Sequence, residues 1–475
     1  GGDVRENPRL SGNVHNVFGI QTGVMIAFLV RRKGKSRTAS IRYARRPEME
    51  TAEDKLAFLG ATRSLSELST QIIKPNKKHD WLDQPTNEWD ELLPLVDPAA
   101  RNAEDRRKTR AIFEMASSGV QTKQDEWAYA NDAEVLAAKM QYLIASYQRA
   151  VEAEDRAVAS DIKWHRELDR RRIAKQTIEF DPEKIRPALY RPFTKRFLYF
   201  DRLTNSQSFR MHEIFQDEPN ETISFLGIAS ANPLSVLATD CVFDTCLLKN
   251  GNGSTQSVPR YRYVKSGERV DNVTDWAVNQ FTKKYGKRAK ISKDSIFHYI
   301  YAILHDPIYR ENYSRNLKRE FPRIPLMPDF SRWAKWGEEL LQMHIHYETV
   351  DAWTIKQTDS LTKRAEGTDP RPVLRSDPAQ GLIIIDTDTR LSGIPTEAWE
   401  YRLGNRPAID WVLDQHKERR LRDVTLSTKF EAYRFASYKT GVITTLSKVV
   451  TVAMRTVAIR QEMTEVERSA VTTAN

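Results

Sequence analysis

An uninterrupted run of seven apolar residues, 24–30, lies between Gly23 and a basic cluster near the start of the sequence. A run of this length without polar alternation is typical of a strand buried on both faces inside an α/β sheet. Such a strand needs neighbours that satisfy its backbone donors and acceptors, and only 23 residues precede it. We therefore expect residues 1–66 to be the last strands of a larger α/β domain, whose chemistry lies outside this sequence.

The composition is that of an ordinary globular protein, because 40% of the 475 residues are hydrophobic and 29% are charged. The longest apolar runs, 24–30 and 382–385, are too short to cross a bilayer, and no signal peptide opens the sequence. Cys241 and Cys246 are too few for a disulfide framework. These features predict a cytoplasmic location.

The charge balance favours a polyanionic partner. Lys and Arg number 74 against 64 Asp and Glu, for a formal net charge of +10. Segment 282–293 (TKKYGKRAKISK) has six basic residues and no acidic one. We expect four of its side chains to hold DNA phosphates without regard to sequence: Lys283, Lys284, Lys287 and Arg288.

The periodicities predict a mixed α+β chain. Apolar residues at helical spacing follow Asp132, which is a good N-cap, and short aromatic and β-branched runs between 178 and 265 indicate strands and hairpins. Residues 382–385 read as a buried strand. Helices are predicted over 396–417 and 445–460, and a polar surface loop over 357–380.

Catalytic motifs are mostly missing. An amino-methyltransferase needs an Asn/Asp-Pro-Pro-aromatic tetrapeptide, and the nearest match, Asn232-Pro233-Leu234, has neither the second proline nor the aromatic residue. No glycine-rich cofactor loop or phosphate-binding loop is present. Asp386 and Asp388 follow a predicted strand, as a metal nuclease requires, but a structural turn is favoured because no Asp/Glu-x-Lys follows.

The candidates for DNA contact are basic and amide side chains around two loops, 202–210 and 249–262, and on the segment that precedes the first. Arginine pairs bidentately with guanine, and Asn or Gln with adenine, in the major groove, whereas lysine holds phosphates. The candidates are Lys195, Arg196, Arg202, Asn205, Ser206, Arg210, Asn250, Asn252, Ser254, Gln256, Arg260 and Arg262.

The order of several segments resembles the C-terminal half of single-chain restriction-modification enzymes of the type ISP class. NVFGIQTGVMIAFLVRRK (16–33) is similar to the end of their methyltransferase domain, and GVQTKQDEWAY (119–129) to the segment before their helical coupler. YRPFTKRFLYFD (190–201) resembles the opening of their recognition domain. SIFHYIYAILHDPIYRENY (295–313), LKREFPRIPLMPDF (317–330) and AWEYRLGNRPAIDWVLDQ (398–415) resemble its later part.

The resemblance implies three parts: the end of an adenine-N6 methyltransferase domain (1–66), a helical coupler (67–176) and an α+β target-recognition domain (177–475). It implies double-stranded DNA as the partner, together with methyltransferase and motor domains of the same polypeptide. S-adenosylmethionine, ATP and magnesium would serve those other domains, and this portion would catalyse nothing by itself. Two alternatives stay open: a protein-interaction scaffold without base readout, and a metal nuclease at Asp386 and Asp388.

Overall fold

The computed structural model describes residues 14–20, 24–31, 39–47, 49–82, 84–85, 87–97, 110–216, 218–230, 232–248, 253–360, 365 and 367–468. It divides into two compact units, Gly1–Asn87 and Glu88–Asn475. In the first unit, strand β1 (Ile41–Tyr43) pairs antiparallel with β2 (Gln71–Ile73). Helix α1 (Ala52–Ala61) lies between them in sequence and begins at a capping box of Thr51 and Asp54.

The strand predicted for residues 24–30 is not formed. Residues 24–31 have no regular secondary structure, and Leu29 is 89% exposed. Within the described residues nothing pairs with this segment. A strand of apolar residues without hydrogen-bonded neighbours gains neither backbone pairing nor burial, so the apolar pattern alone does not produce the strand.

The second unit is built from eighteen strands and eleven helices within the described residues. The strands are β3 (Leu93–Pro94), β4 (Ser117–Ser118), β5 (Tyr129–Ala130), β6 (Ile185–Arg191), β7 (Thr194–Tyr199), β8 (Thr222–Leu226), β9 (Ser235–Thr239), β10 (Val242–Phe243), β11 (Gln256–Pro259), β12 (Tyr261–Tyr263), β13 (Arg269–Asp271), β14 (Arg323–Ile324), β15 (Lys356–Asp359), β16 (Pro372–Asp377), β17 (Leu382–Asp386), β18 (Thr389–Ser392), β19 (Arg402–Leu403) and β20 (Arg406–Pro407). The helices are α2 (Asp125–Ala128), α3 (Ala133–Glu152), α4 (Arg166–Ile173), α5 (Asp275–Tyr285), α6 (Lys293–His305), α7 (Pro307–Asn312), α8 (Ser314–Leu317), α9 (Phe330–Ile345), α10 (Ala408–Gln415), α11 (Val424–Lys429) and α12 (Lys439–Thr464).

Three four-stranded sheets organise this unit. Their strand orders are β10-β6-β7-β5, β4-β11-β8-β9 and β15-β18-β17-β16. All neighbours are antiparallel except β10 and β6, which run parallel. The mixed α+β class expected from the sequence is confirmed.

Helix α3 begins at Asp132, whose carboxylate accepts hydrogen bonds from the backbone N–H groups of Glu134 and Val135, as predicted. Its buried face packs in one core with Tyr199 of β7 and Leu426 of α11. The helices of the predicted coupler therefore share a core with elements of the predicted recognition domain. The three-part division of the chain stays a prediction.

Two sequence predictions between residues 357 and 417 are wrong. The predicted loop 357–380 contains all of β16 and most of β15. The side chains of edge strand β15 are all exposed and polar, so the sequence of this strand lacks the apolar alternation that predicts a strand. The predicted helix 396–417 is a 3-10 turn, the β19–β20 hairpin and α10. Gly404 forms the hairpin turn with φ +68, and a proline, Pro407, directly precedes α10.

The predicted helix over 445–460 is confirmed as part of α12. The stretch Phe435–Thr464 is long and apolar enough to cross a membrane, but half of its most apolar 18-residue window is buried inside the protein. Val449, Val450 and Val452 belong to the main hydrophobic core. Among the described residues, this apolar helix is therefore explained by packing within a globular unit.

Candidate nucleic-acid interface

The two candidate recognition loops meet on the segment that contains β4. In the 202–210 loop, the backbone N–H of Arg210 donates to Ser117 Oγ at 3.1 Å. Gln207 and Gln121 exchange backbone hydrogen bonds of 2.8 and 2.9 Å. The strand β4 also pairs antiparallel with β11, which lies within the second loop. Segment 117–121 thus holds both loops at fixed positions next to each other.

Gln256 anchors the second loop to the same segment. Its Nε2 atom donates to Ser118 Oγ at 2.8 Å and to Ser254 Oγ at 3.0 Å. The Oε1 atom is buried and has no hydrogen-bond partner among the described residues. An amide with both donors engaged and a vacant acceptor is oriented and still has hydrogen-bonding capacity.

Gly119 allows segment 117–121 to reach the neighbouring sheet as well. A Cβ atom at this position would lie 2.7 Å from the backbone carbonyl carbon of Asp244. Val120 donates its N–H to Phe243 O at 2.9 Å and accepts from the Thr245 N–H at 2.8 Å. Because Phe243 belongs to β10, the segment connects the sheet of β4 with the sheet of β6 and β7. Only glycine fits at this close approach.

Four of the cationic candidates are engaged by carboxylates. Arg260 is 4% exposed and binds Asp271 at 2.6 Å and Asp294 at 2.5 Å. Burial opposes its charge, but the hydrogen bonds to these carboxylates prevail and raise the pKa of Arg260. The other three pairs are Arg262 with Glu114, Arg210 with Glu213 at 2.6 Å, and Lys195 with Glu348 at 2.5 Å.

Two further candidates donate hydrogen bonds to backbone carbonyl groups. Arg196 packs its guanidinium 4.3 Å from the ring centroid of Tyr190 and donates to Gln415 O at 3.2 Å, and burial lowers its pKa. Asn205 is 1% exposed and donates from Nδ2 to Tyr199 O at 3.0 Å. Both side chains hold neighbouring backbone in place.

The remaining candidates are accessible or lie outside the description. Arg202, Lys283, Lys284, Lys287 and Arg288 are exposed, whereas Ser206 and Ser254 are half-buried. Lys283 and Lys284 occupy the last turn of α5, where the helix dipole favours cations. Asn250 and Asn252 lie outside the described residues.

A second exposed basic segment was not singled out from the sequence. Arg420, Arg422, Lys429 and Arg434 are exposed around α11. The segment adjoins β7, because Leu421 and Phe430 pack against the core cluster that contains Tyr199 of β7. The run KERRLR (417–422) is a visible signal, but Glu418 interrupts it and so weakens a search for unbroken basic runs.

The Asp386 carboxylate has a structural role. Its Oδ1 atom accepts from the backbone N–H groups of Asp388 at 2.8 Å and Thr389 at 2.7 Å, and its Oδ2 atom pairs with Lys439 Nζ at 2.7 Å. The lysine thus takes the position beside the carboxylate that a metal ion would need. Among the described residues, no group of three His, Cys, Asp or Glu side chains is arranged to hold a metal ion.

One family model matches most of the chain. A family model described as the Type ISP C-terminal specificity domain matches residues 111–445. No curated protein matches significantly. The cryo-EM structure of a DrdV–DNA complex is 37% identical with a TM-score of 0.80, and covers 90% of this chain and 43% of its own.

Two other solved structures show the same fold. One is a nuclease-deletion mutant of the Type ISP restriction-modification enzyme LlaGI in complex with a DNA substrate mimic. It is 24% identical with a TM-score of 0.69, and the match covers 92% of this chain and 40% of that chain. The other is the ATP-dependent Type ISP restriction-modification enzyme LlaBIII bound to DNA. It is 23% identical with a TM-score of 0.78, and the match covers 98% of this chain and 30% of that chain. The chain spans less than half the length of these three structures.

Proposed function

Because the chain belongs to the family of Type ISP C-terminal specificity domains, we propose that it recognises a specific sequence in double-stranded DNA for a restriction-modification enzyme. The match of the specificity-domain model to residues 111–445 carries the proposal, since it covers both candidate loops. The joining of those loops by segment 117–121 supports it, because base readout requires side chains held in a fixed register against the duplex.

In this proposal the candidate side chains have different roles. Gln256 accepts one hydrogen bond from a base edge through its vacant Oε1 atom, which DNA binding uncovers, while Ser118 and Ser254 keep the amide oriented. Arg202 and the exposed cations at the end of α5 hold phosphates. Arg260 and Arg262, which bind carboxylates, keep the β11–β12 region in shape.

The proposal extends to the enzyme of which this domain is a part. Recognition would present a target adenine to an N6-adenine methyltransferase domain of the same polypeptide, with S-adenosylmethionine as the methyl donor. ATP and magnesium would serve a motor and a nuclease there, in the cytoplasm. The exposed apolar side chains at 24–30 support burial against such a neighbouring domain, since exposed apolar patches mark contact surfaces.

A selection followed by binding measurements tests the proposal. The 475-residue chain is used to enrich duplexes from a random library, and affinities for the enriched duplex and a random duplex are compared. Gln256→Ala should weaken binding of the enriched duplex by roughly two- to 13-fold, as expected for the loss of one hydrogen bond worth about 0.5–1.5 kcal/mol. Binding of the random duplex should hardly change.

Gln357→Ala is the matched control, because Gln357 is an exposed amide on edge strand β15. An equal loss on both duplexes would contradict base readout by Gln256. Absence of any salt-dependent DNA binding would instead favour the protein-interaction scaffold.

A further inference from the structure

We propose that Arg310 and Arg460, together with the hydroxyl of Tyr401, form a binding site for a phosphate-like oxyanion where α7 and α12 meet. The site is separate from the candidate recognition loops and does not depend on the proposed function. Its ligand chemistry is a tetrahedral anion, which could be free phosphate or a phosphodiester of the DNA backbone.

The two arginines lack acidic partners. Arg310 of α7 and Arg460 of α12 are both half-buried, and neither has a carboxylate within ion-pair distance among the described residues. The Nε atom of Arg310 donates to Leu304 O at 2.6 Å, which leaves the two terminal nitrogens of its guanidinium for other acceptors. The Nε atom of Arg460 is buried without a hydrogen-bond partner in the described part of the chain.

Neighbouring carboxylates attract the two guanidinium groups but form no ion pair with them among the described residues. Asp306 accepts two hydrogen bonds from Arg468, at 2.7 and 2.8 Å. The same carboxylate caps α7 by accepting from the N–H groups of Ile308 and Tyr309. Glu400 attracts Arg460 electrostatically, but it is exposed and forms no ion pair with it. Asp306 therefore has its accepting capacity committed elsewhere, and Glu400 is in the solvent.

Tyr401 supplies the neutral donor. Its side chain is 2% exposed, and its hydroxyl has no hydrogen-bond partner within the described residues. Its ring lies parallel to that of His344, with centroids 5.4 Å apart, and His344 is itself held by Tyr301 at 2.6 Å and Thr456 at 2.9 Å. The tyrosine ring is therefore held in place, while its hydroxyl group makes no hydrogen bond to a described residue. Burying a hydroxyl without a partner is costly unless a ligand or solvent completes it.

The electrostatics favour a counter-charge. Burial and the proximity of Arg460 lower the pKa of Arg310 to about 9. The Tyr401 hydroxyl interacts electrostatically with both guanidinium groups. Two like charges that interact in a partly desolvated place repel each other, and an anion that binds both offsets that cost. Guanidinium forks bind phosphate oxygens in pairs, so a phosphate-like group fits this donor set.

Thermal unfolding with inorganic phosphate tests the site, with sodium chloride keeping ionic strength constant. Phosphate should raise the Tm of the 475-residue chain to a plateau, because a ligand that binds only the folded state stabilises it. Tyr401→Phe should keep the basal Tm, since it removes only a hydroxyl without a partner, and should reduce the rise with phosphate. Arg460→Gln should abolish the rise. Arg170→Gln is the matched control, because Arg170 is an exposed arginine on α4.

A duplex of random sequence distinguishes the two sources of phosphate. If the site holds the DNA backbone, Arg460→Gln should weaken duplex binding several-fold relative to Arg170→Gln, and inorganic phosphate should compete with DNA. If it holds free phosphate, duplex affinity should match the control while the Tm response is lost. Should Arg460→Gln fail to fold, Arg460→Lys and Tyr401→Phe decide, and both should respond less to phosphate. A chain whose Tm is indifferent to phosphate, or a Tyr401→Phe variant with the full response, would overturn the proposal.

Discussion

The side-chain amide of Gln256 donates a hydrogen bond of 2.8 Å to the hydroxyl of Ser118, a residue 138 positions earlier in the chain. Ser118 is 6% exposed, so it cannot contact a base directly. Ser118→Ala leaves the Gln256 Nε2 atom with Ser254 alone and loosens its orientation. We expect discrimination between the enriched and random duplexes to fall, with affinity for the random duplex unchanged, in the same binding assay. Ser331→Ala, at an exposed position of α9, should change neither affinity.

The crossing of α6 and α9 predicts a large effect for one glycine. A Cβ atom at Gly337 would lie 1.7 Å from the carbonyl oxygen of His298. Gly337→Ala must push the helices apart and should lower the free energy of unfolding by about 1–3 kcal/mol or more, as overpacking does. Gly441→Ala, in α12, meets nothing within 4 Å and should stabilise by about 0.5–1 kcal/mol because alanine favours the helix. Denaturant unfolding compares the two, and a neutral Gly337→Ala would contradict the close packing.

The exposed lysines in the last turn of α5 and just after it predict a change in salt dependence. Lys283→Gln with Lys287→Gln should weaken binding to the enriched and random duplexes to the same extent. The slope of log affinity against log salt should fall by about 0.9 for each phosphate that is no longer neutralised. Fluorescence anisotropy across a salt series measures both quantities. Lys335→Gln with Lys356→Gln, also exposed, is the control pair, and an unchanged slope in the α5 variant would remove these lysines from the interface.

Buried histidines predict acid sensitivity. Burial lowers the pKa of His344 from 6.5 to about 3. Below pH 6.5 the imidazole of this residue is protonated in the unfolded chain, whereas folded His344 stays neutral down to about pH 3. The free energy of unfolding therefore falls as the pH drops, by about 1.4 kcal/mol for each pH unit. Unfolding curves at pH 7.5, 6 and 5 should show this trend. His344→Gln should reduce the slope of the unfolding free energy against pH by the contribution of one proton, even if the variant is less stable at every pH. Parallel profiles for variant and parent would contradict the assignment.

Asp423 links the predicted coupler to the C-terminal part of the chain. It accepts from Trp127 Nε1 at 2.8 Å and caps α11 through the Leu426 N–H. Asp423→Ala leaves a buried indole donor unsatisfied and removes the cap, so the free energy of unfolding should fall by about 1–3 kcal/mol. Limited proteolysis should then cut faster near α11. Asp155→Ala, which removes a local cap alone, should have the smaller effect on unfolding.

Local features were readable from the sequence where a few adjacent residues decide the outcome. Asp132 caps α3 as predicted because a carboxylate satisfies the N–H groups two and three residues later. Helix α6 ends before Asp306-Pro307, where proline lacks the donor that a continuing helix needs. Residues 382–385 form a strand, β17, as their apolar run indicates. The family was also visible, through the order of short segments now matched by the specificity-domain model.

Side-chain roles in the candidate site were not readable, since they depend on partners far away in the chain. Arg262 is paired with Glu114, and Lys195 with Glu348, so an arginine or lysine in a polar loop carries no sign of whether its charge is free. The prediction of a helix over 396–417 was wrong for a related reason, because residues with helical spacing of apolar side chains form the β19–β20 hairpin there.

The sequence by itself determined the mixed α+β class, the helix boundaries set by caps and prolines, and membership of a DNA-specificity family, because each depends on neighbouring residues or on segment order. Only the tertiary structure decided that β4 joins the two loops, that several basic candidates are neutralised, and that Arg310 and Arg460 remain without carboxylates. Distances of a few ångströms between residues a hundred or more positions apart control hydrogen bonds and ion pairs, and chain order does not encode those distances directly.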